Sequence, residues 1–121
     1  MIIRLDAICL LVDNLAVAQN FYQNVLGLKV KSTDTGFVEF VLGETPLALF
    51  EKIHAVAMFP GKYMTSPGGA VIALRVEDIT KTCEGLISKG VIIFEGPKQT
   101  SWGQTVAYLH DPDGHIIELT T

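Results

Sequence analysis

Two glutamates stand at matching places in this chain. Glu51 ends the segment Leu49-Phe50-Glu51, and Glu118 ends the similar segment Ile116-Ile117-Glu118, 67 residues later (118 − 51). Two carboxylates can serve as general acid and base when their surroundings push their pKa values apart. His54 follows Glu51 by three residues and would place an imidazole near the first carboxylate. These residue types allow proton transfer or, with the histidine included, metal binding.

The same doubling extends to the elements that must position these side chains. Residues 7–15 read AICLLVDNL and residues 71–79 read VIALRVEDI, at a constant offset of 64 (71 − 7 and 79 − 15). In each copy an apolar run ends in acidic or amide residues and then opens a helix. Internal repetition is a stronger fold signal than any single motif, so the sequence predicts one structural unit that occurs twice.

Composition limits the class of protein. A chain of 121 residues with 49% hydrophobic and 18% charged residues is expected to form one soluble globular domain. The net charge of −4 and the lack of a basic cluster exclude nucleic acid as an expected partner. No apolar run approaches the roughly 20 residues that span a bilayer, so no membrane contact is expected. The first four residues are too short for a signal peptide, which favours a cytoplasmic location.

The spacing of apolar and turn-forming residues predicts the elements of each copy. In the first copy we expect a strand at 3–12, a helix from Leu15 capped by Asn14 and ended by Gly27, and strands at 28–32, 37–42 and 46–51. A Pro/Gly-rich linker covers 54–69. The second copy has a strand at 70–76, a helix at 78–89, and strands at 91–95, 104–110 and 115–120. The prediction is an α+β fold made of two βαβββ modules, 1–53 and 70–121.

Three segments carry a resemblance to a known family. They are FYQNVLGL at 21–28, ALRVED at 73–78 and DPDGHIIEL at 111–119. Together they resemble the vicinal oxygen chelate superfamily, which includes glyoxalase I, fosfomycin-resistance thiol transferases, extradiol dioxygenases and bleomycin-resistance proteins. The resemblance covers the whole chain, 1–121, as a single domain. It implies that each module curls a four-stranded mixed sheet into half of a cup, with the helices packed outside, and that a homodimer completes the cup.

The resemblance also implies four metal-ligand positions, which fall at Ala7, Glu51, Val71 and Glu118. The two aliphatic side chains have no lone pair to donate. Two carboxylates alone are a poor ligand set for zinc, nickel or iron(II), which favour imidazole nitrogen and three or four protein ligands. We therefore expect no metal cofactor. A divalent metal held by Glu51, His54 and Glu118 is the alternative.

Period-two alternation predicts the lining of the cup when the ligand positions are taken as inward. The lining set is Leu5, Ala7, Cys9, Leu11, Leu47, Leu49, Glu51, Val71, Ala73, Arg75, Ile116, Glu118 and Thr120. Apolar walls with a few polar groups are typical of small-molecule sites. Buried carboxylates are costly, so we expect Arg75 to pair with one, a glutamate to be protonated, or a cationic ligand to satisfy them.

Aromatic and sulfur side chains add two expectations. Trp102, in a Gly-bounded segment, either stacks on a flat ligand or packs at the sheet edge. The linker residues Met58, Phe59, Tyr63 and Met64 either close over the opening or bury against a partner subunit. Cys9 and Cys83 lack the spacing of a metal or redox pair and are expected to be buried, inert thiols.

Three functions follow from these residues. The favoured one is metal-independent binding of a small molecule, of the bleomycin-resistance type, in an apolar cup at a dimer interface. The ligand would contact Ala7, Cys9, Leu49, Glu51, Val71, Arg75, Trp102 and Glu118. The second is a glyoxalase-like metal-dependent lyase, isomerase or thiol transferase in which Glu51 and Glu118 are catalytic. The third is a dimeric interaction module with a vestigial pocket.

Overall fold

The computed structural model describes residues 3, 5–58, 61–65 and 70–121, except the side chain of Tyr63. The chain divides into two compact units, Met1–Ser66 and Pro67–Thr121. Each unit has one main helix and one four-stranded mixed sheet. The predicted α+β fold with two βαβββ modules is confirmed.

In the first unit the chain order is β1 (Ile8–Val12), α1 (Leu15–Asn20), β2 (Lys29–Asp34), β3 (Phe37–Val41) and β4 (Leu47–Glu51), followed by a short helix α2 (Lys52–Ala55). The strand order in sheet one is β1-β4-β3-β2. Strand β1 runs parallel to β4, and the other neighbours are antiparallel. A 3-10 turn at Gly61–Tyr63 follows in the segment that the sequence predicted to be a linker.

The second unit repeats this arrangement. Its elements are β5 (Val71–Arg75), α3 (Ile79–Ser88), β6 (Glu95–Gln99), β7 (Thr105–His110) and β8 (Ile116–Thr120). The strand order in sheet two is β5-β8-β7-β6, with β5 parallel to β8. This is the order of sheet one, strand for strand.

Helix α1 begins where its sequence predicts. The Asn14 side chain accepts a 3.1 Å hydrogen bond from the backbone N–H of Val17, which caps the helix. After Asn20 the chain continues as a π-helical turn, Phe21–Val25, and not as the longer α-helix that was predicted. Phe21 and Tyr22 are buried, and the Tyr22 ring lies 6.0 Å from Phe40 of β3. One face of sheet one is thus covered by this helix.

Helix α3 covers one face of sheet two in the same way. The Asp78 carboxylate caps it through the backbone N–H of Lys81 at 3.0 Å. Its buried residues Ile79, Cys83 and Leu86 pack toward β6 and β7. The strand residues of this core are almost fully buried: Ile72, Ala107, Leu109, Ile117 and Leu119.

Two predicted strands are wrong in their positions. Strand β1 starts at Ile8 and not at residue 3. Strand β6 lies at Glu95–Gln99 and not at 91–95, and all five of its residues are exposed. It is an edge strand, where Pro97 and a register irregularity between Glu95 and Lys98 are tolerated. The position of this polar strand is set by its pairing with β7. The prediction was wrong because it followed the apolar residues at 91–94, which come before the strand.

The predicted linker residues have different positions. Met64 is buried, whereas Met58 is largely exposed. Phe59 lies outside the described residues. Among the helices that the structure describes, none is long and apolar enough to cross a membrane.

Candidate functional site

The two faces of sheet one differ from the predicted lining. In the β1–β4 register Cys9 pairs with Ala48, whereas Glu51 pairs with Val12. Leu49 and Glu51 therefore lie on the helix-covered face, where Leu49 is fully buried. The prediction that Leu49 and Glu51 share a face with Ala7 and Cys9 is wrong. Alternation sets the faces along one strand only, and the register between strands relates one strand to the next.

The predicted set in sheet two does share one face. Val71 pairs with Ile116, Ala73 with Glu118 and Arg75 with Thr120. The adjacent strand β7 adds Tyr108 opposite Glu118 and His110 opposite Ile116. Helix α3 covers the opposite face. Strand β6 adds Glu95 opposite Tyr108 and Lys98 opposite Val106, and these two side chains form an ion pair at 3.2 Å. We call this set the open face of sheet two, in which Val106 and Thr120 are buried: Val71, Ala73, Arg75, Glu95, Lys98, Val106, Tyr108, His110, Ile116, Glu118 and Thr120.

A short hydrogen bond joins two side chains on the open face of sheet two. The Tyr108 hydroxyl donates to a carboxylate oxygen of Glu118 at 2.6 Å. This hydrogen bond raises the pKa of Tyr108, with smaller contributions from desolvation and from the negative charges of Glu118 and Glu95. Sequence reasoning missed Tyr108. Counting back from a turn at 111–114 would place Tyr108 opposite Ile117. The observed connection is one residue longer, with His110 opposite Ile116, and this register brings Tyr108 opposite Glu118.

Arg75 does not pair with a glutamate as predicted. Within the described part of the chain its guanidinium forms no ion pair, and the Glu118 carboxylate is bonded to Tyr108 instead. Arg75 is exposed on β5, whereas Tyr108 lies on β7. Because β8 lies between these two strands, Tyr108 draws the carboxylate of Glu118 toward the side away from Arg75.

An aromatic group borders this face where β7 ends. The Phe94 ring stacks on the His110 imidazole, with centroids 4.3 Å apart and planes 15° from parallel. The same ring lies 6.1 Å from Tyr108. Phe94 remains 45% exposed, so a flat surface faces solvent. Sequence reasoning placed Phe94 in a strand and did not connect it with His110.

The other glutamate lies in a junction of four segments. One Glu51 oxygen accepts a 2.8 Å hydrogen bond from the backbone N–H of Leu15, at the start of α1. The other oxygen lies 3.2 Å from Nδ1 of His54. The His54 ring lies against Gly36, where an added Cβ would come within 2.5 Å of the ring. The Gly36 carbonyl in turn accepts a 2.8 Å hydrogen bond from the Glu51 backbone N–H.

The remaining histidine has a structural role. The His115 side chain is only 15% exposed. Its Nδ1 lies 2.7 Å from the buried carboxylate of Asp111. That carboxylate also accepts hydrogen bonds from the backbone N–H groups of Asp113 and His115. Asp111 thereby holds the turn between β7 and β8 closed.

Three further predicted residues are on the surface. Ala7 and Cys9 are exposed, so the prediction of a buried Cys9 is wrong, whereas Cys83 is buried as predicted. Partial desolvation nevertheless raises the pKa of both thiols. Trp102 lies in the β6–β7 hairpin loop with 75% of its surface exposed, and its indole N–H donates to the Gln104 side chain at 2.7 Å.

Comparison with known proteins identifies the family. The family model of the glyoxalase-like domain matches residues 5–121. This chain is a glyoxalase-like domain. It is 34% identical to a probable lactoylglutathione lyase of Synechocystis, over 89% of this chain and 87% of that protein. The resemblance to the glyoxalase, bleomycin-resistance and dioxygenase superfamily is confirmed.

Solved structures agree with this glyoxalase-like fold. A protein from the mobile metagenome of V. pseudocholerae superposes with a TM-score of 0.79 at 30% identity, covering 100% of this chain and 95% of that one. A glyoxalase/bleomycin resistance protein/dioxygenase family enzyme from Burkholderia phytofirmans has a TM-score of 0.85 at 16% identity, with 96% of each chain covered. The second likeness shows the fold alone.

The metal that this family implies does not fit the glyoxalase-like domain of this chain. Ala7 and Val71 carry no donor atom at two of the four ligand positions. At the third, both oxygens of Glu51 already have partners in Leu15 and His54. Among the described residues, no three His, Cys, Asp or Glu side chains come together in a way that could hold a metal ion. Glu118 presents its carboxylate on the open face of sheet two. Two other glutamates on exposed sheet faces already have side-chain partners: Glu95 pairs with Lys98, and Glu39 pairs with Lys31.

Proposed function

We propose that this glyoxalase-like domain binds a small molecule without a metal, in the manner of the bleomycin-resistance proteins. The observation that carries the proposal is the hydrogen bond from Leu15 to Glu51, together with aliphatic side chains at positions 7 and 71. A divalent metal of the transition series needs three or four donors. Of the four ligand positions, only Glu118 keeps a carboxylate oxygen without a partner among the described residues.

The open face of sheet two supports binding at that place. It combines apolar side chains with the polar groups of Tyr108, Glu118 and Arg75. Such a mixture is what small-molecule sites use for affinity and orientation. We also propose that the protein forms a homodimer, because Val71 and Val41 leave apolar strand surface exposed. A cytoplasmic location is part of the same proposal.

A lyase is the competing function because the relative from Synechocystis is named as one. Lyase activity of the metal-dependent kind would require donors at positions 7 and 71, which this chain lacks. Without a metal, Glu118 and Tyr108 remain as polar groups able to exchange a proton with a bound molecule. A binding role needs neither a metal nor a proton transfer, and the residues present are sufficient for it.

Thermal unfolding of chelator-treated protein tests the proposal. Nickel, zinc, manganese and iron(II) are each added to the treated protein and the midpoint is measured. A metal at about 100 times its dissociation constant adds roughly 2.7 kcal/mol, which raises the midpoint by several degrees in a domain of this size. We expect no rise. A rise that disappears in Glu118→Gln would overturn the proposal in favour of a metal-dependent enzyme.

Flat aromatic compounds, cationic and neutral, form the second arm of the same experiment. Stabilisation by such a compound, with no metal response, supports the binding function. If neither metal nor any compound stabilises the protein, the proposal fails and the dimeric interaction module with a vestigial pocket replaces it.

A further inference from the structure

Arg75 and Glu118 place opposite charges on one sheet face without pairing. Arg75 on β5 lies beside Thr120, and Glu118 on β8 lies beside Ala73. The two positions are therefore on neighbouring strands and are offset by two residues, about 7 Å along the strand direction. Diagonal neighbours at this spacing are within reach of each other when the side chains are long. Something must keep the two charges apart.

Tyr108 provides the separation. Its hydroxyl binds Glu118 at 2.6 Å from β7, the neighbour of β8 on the side opposite to Arg75. A hydrogen bond to a charged acceptor is stronger than one between neutral groups, so it holds the carboxylate in place. One carboxylate oxygen is used by Tyr108, and the structure gives the other no partner among the described residues. The N–H groups of the Arg75 guanidinium likewise form no ion pair among the described residues, so they are available to a ligand.

Short side chains occupy the positions next to the two charges. Arg75 and Glu118 lie at opposite corners of a square of four residues, and the other two corners are Ala73 and Thr120. Ala73 is exposed and Thr120 is buried. A flat body that reaches from Arg75 to Glu118 would cross this square over a methyl group and a threonine side chain. The charges at either end would then contact the two ends of the same molecule.

We propose that the open face of sheet two binds a zwitterionic small molecule whose anionic group pairs with Arg75 and whose ammonium group pairs with Glu118. This inference rests on the proposed binding function and names its ligand class. A ligand with a single charge would desolvate one side chain without compensating the other, which is costly. Tyr108 is a positioning residue, because it acts on the ligand through Glu118.

Three matched compounds test the proposal on the full-length, chelator-treated protein. The zwitterion is 4-(aminomethyl)benzoic acid, a rigid flat molecule with its two charged groups at opposite ends. Its methyl ester keeps only the cation, and its N-acetyl derivative keeps only the anion. Titration calorimetry should show the zwitterion binding at least tenfold more tightly than either derivative. Equal affinities for the three compounds would overturn the proposal.

Variants assign each charge to its partner. Arg75→Gln should abolish the preference for the acid over the ester, and Glu118→Gln should abolish the preference for the amine over the N-acetyl derivative. Lys81→Gln is the control for Arg75→Gln, and Glu84→Gln is the control for Glu118→Gln, because each removes a charge of the same sign. Both residues are exposed on α3, which covers the other face of the sheet, so these variants should leave all affinities unchanged. Equal losses in both α3 variants would mean nonspecific charge effects and would overturn the proposal.

Tyr108→Phe gives the sharpest result. Both charges remain, but Glu118 is released to pair with Arg75, so zwitterion binding should weaken at least tenfold while the thermal midpoint stays within a few degrees of wild type. Unchanged binding would show that Tyr108 does not separate the charges and would overturn that part of the proposal.

The outcomes also separate this inference from the proposed function. If neutral aromatic compounds bind the metal-free protein as tightly as the zwitterion, the binding function stands and the ligand class is wrong. If metal raises the midpoint through Glu118, the binding function itself fails. If no compound binds and no metal responds, both fail together with the site.

Discussion

The backbone N–H of Leu15 donates a 2.8 Å hydrogen bond to the carboxylate of Glu51, 36 residues farther along the chain. Helices leave their first N–H groups without intrahelical partners, and a carboxylate at this end also complements the helix dipole. The bond connects the end of β4 to the start of α1. Glu51, which the family resemblance assigns to metal binding, thus stabilises the fold of the first unit.

The first prediction concerns the stability that this hydrogen bond provides. Glu51→Ala removes the acceptor for Leu15 and the partner of His54, so the free energy of unfolding should fall by about 1 to 2 kcal/mol. Glu51→Gln keeps an oxygen for Leu15 and should lose less. Urea unfolding, followed by far-ultraviolet circular dichroism, measures both changes.

Glu44→Ala is the control for that series. Glu44 is exposed in the turn between β3 and β4. Its removal should change the unfolding free energy by no more than about 0.5 kcal/mol, as for most surface positions. Equal effects of the Glu51 and Glu44 substitutions would show that the Leu15 hydrogen bond contributes nothing.

The second prediction concerns Gly36 and the His54 ring. Gly36 has φ +70, and an added Cβ would lie 2.5 Å from the ring. Gly36→Ala must therefore incur both the backbone strain of a positive φ and a displacement of His54 from Glu51. We expect a larger loss of unfolding free energy than for Gly43→Ala, since Gly43 has φ +61 with no atom near its added Cβ.

A double variant separates the two effects. In Gly36→Ala with His54→Ala the ring is absent, so the double variant should lose less than the sum of the two single losses. Strictly additive losses would contradict the contact between Gly36 and His54.

Features set by local interactions could be predicted from the sequence. Asn14 was predicted as the cap of α1, and its side chain does accept a hydrogen bond from the N–H three residues ahead. Asp78 was predicted as the first residue of the second helix, and it caps α3 in the same way. The two βαβββ modules were likewise predicted from a local pattern, the repeat of residues 7–15 at 71–79. Strand β6 could not be placed, because its exposed sequence has no apolar alternation and its position depends on pairing with β7.

The sheet face on which each glutamate lies depends on the register between neighbouring strands. Cys9 pairs with Ala48 in sheet one, whereas Ala73 pairs with Glu118 in sheet two. Glu51 lies three residues beyond Ala48 (51 − 48), and an odd number of residues moves a side chain to the other face. The two carboxylates look equivalent in the repeat, but no sequence signal reported the difference in register.

The third prediction follows from the exposure of Cys9. A thiol reagent such as 5,5′-dithiobis(2-nitrobenzoate) should react with Cys9 well before Cys83, which lies on the buried face of α3. Both reactions should accelerate at alkaline pH, because burial raises the pKa of each thiol and the thiolate is the reactive form. Cys9→Ser should remove the fast phase. A fast phase that persists in this variant would contradict the assigned exposures.

The last prediction is the titration of Tyr108, followed by tyrosinate absorbance near 295 nm. The pKa of Tyr108 is raised above the ordinary value of 10.0, first by its hydrogen bond to Glu118. The chain has three tyrosines, so the difference between wild type and Tyr108→Phe isolates this group. Glu118→Gln should lower the Tyr108 pKa toward the ordinary value, whereas the exposed Glu84→Gln on α3 should leave it unchanged.

The sign of the associated stability change follows from the raised pKa. Folding favours the protonated phenol, so this stabilisation is fully present below about pH 10, the unfolded value, and is lost as pH rises through the folded pKa. The difference in unfolding free energy between wild type and Tyr108→Phe should therefore be constant from neutral pH to about pH 9. Above pH 10 wild type should lose stability relative to Tyr108→Phe. Urea unfolding at several alkaline pH values measures it. A difference that stays constant through that range would mean that the hydrogen bond between Tyr108 and Glu118 does not form in solution.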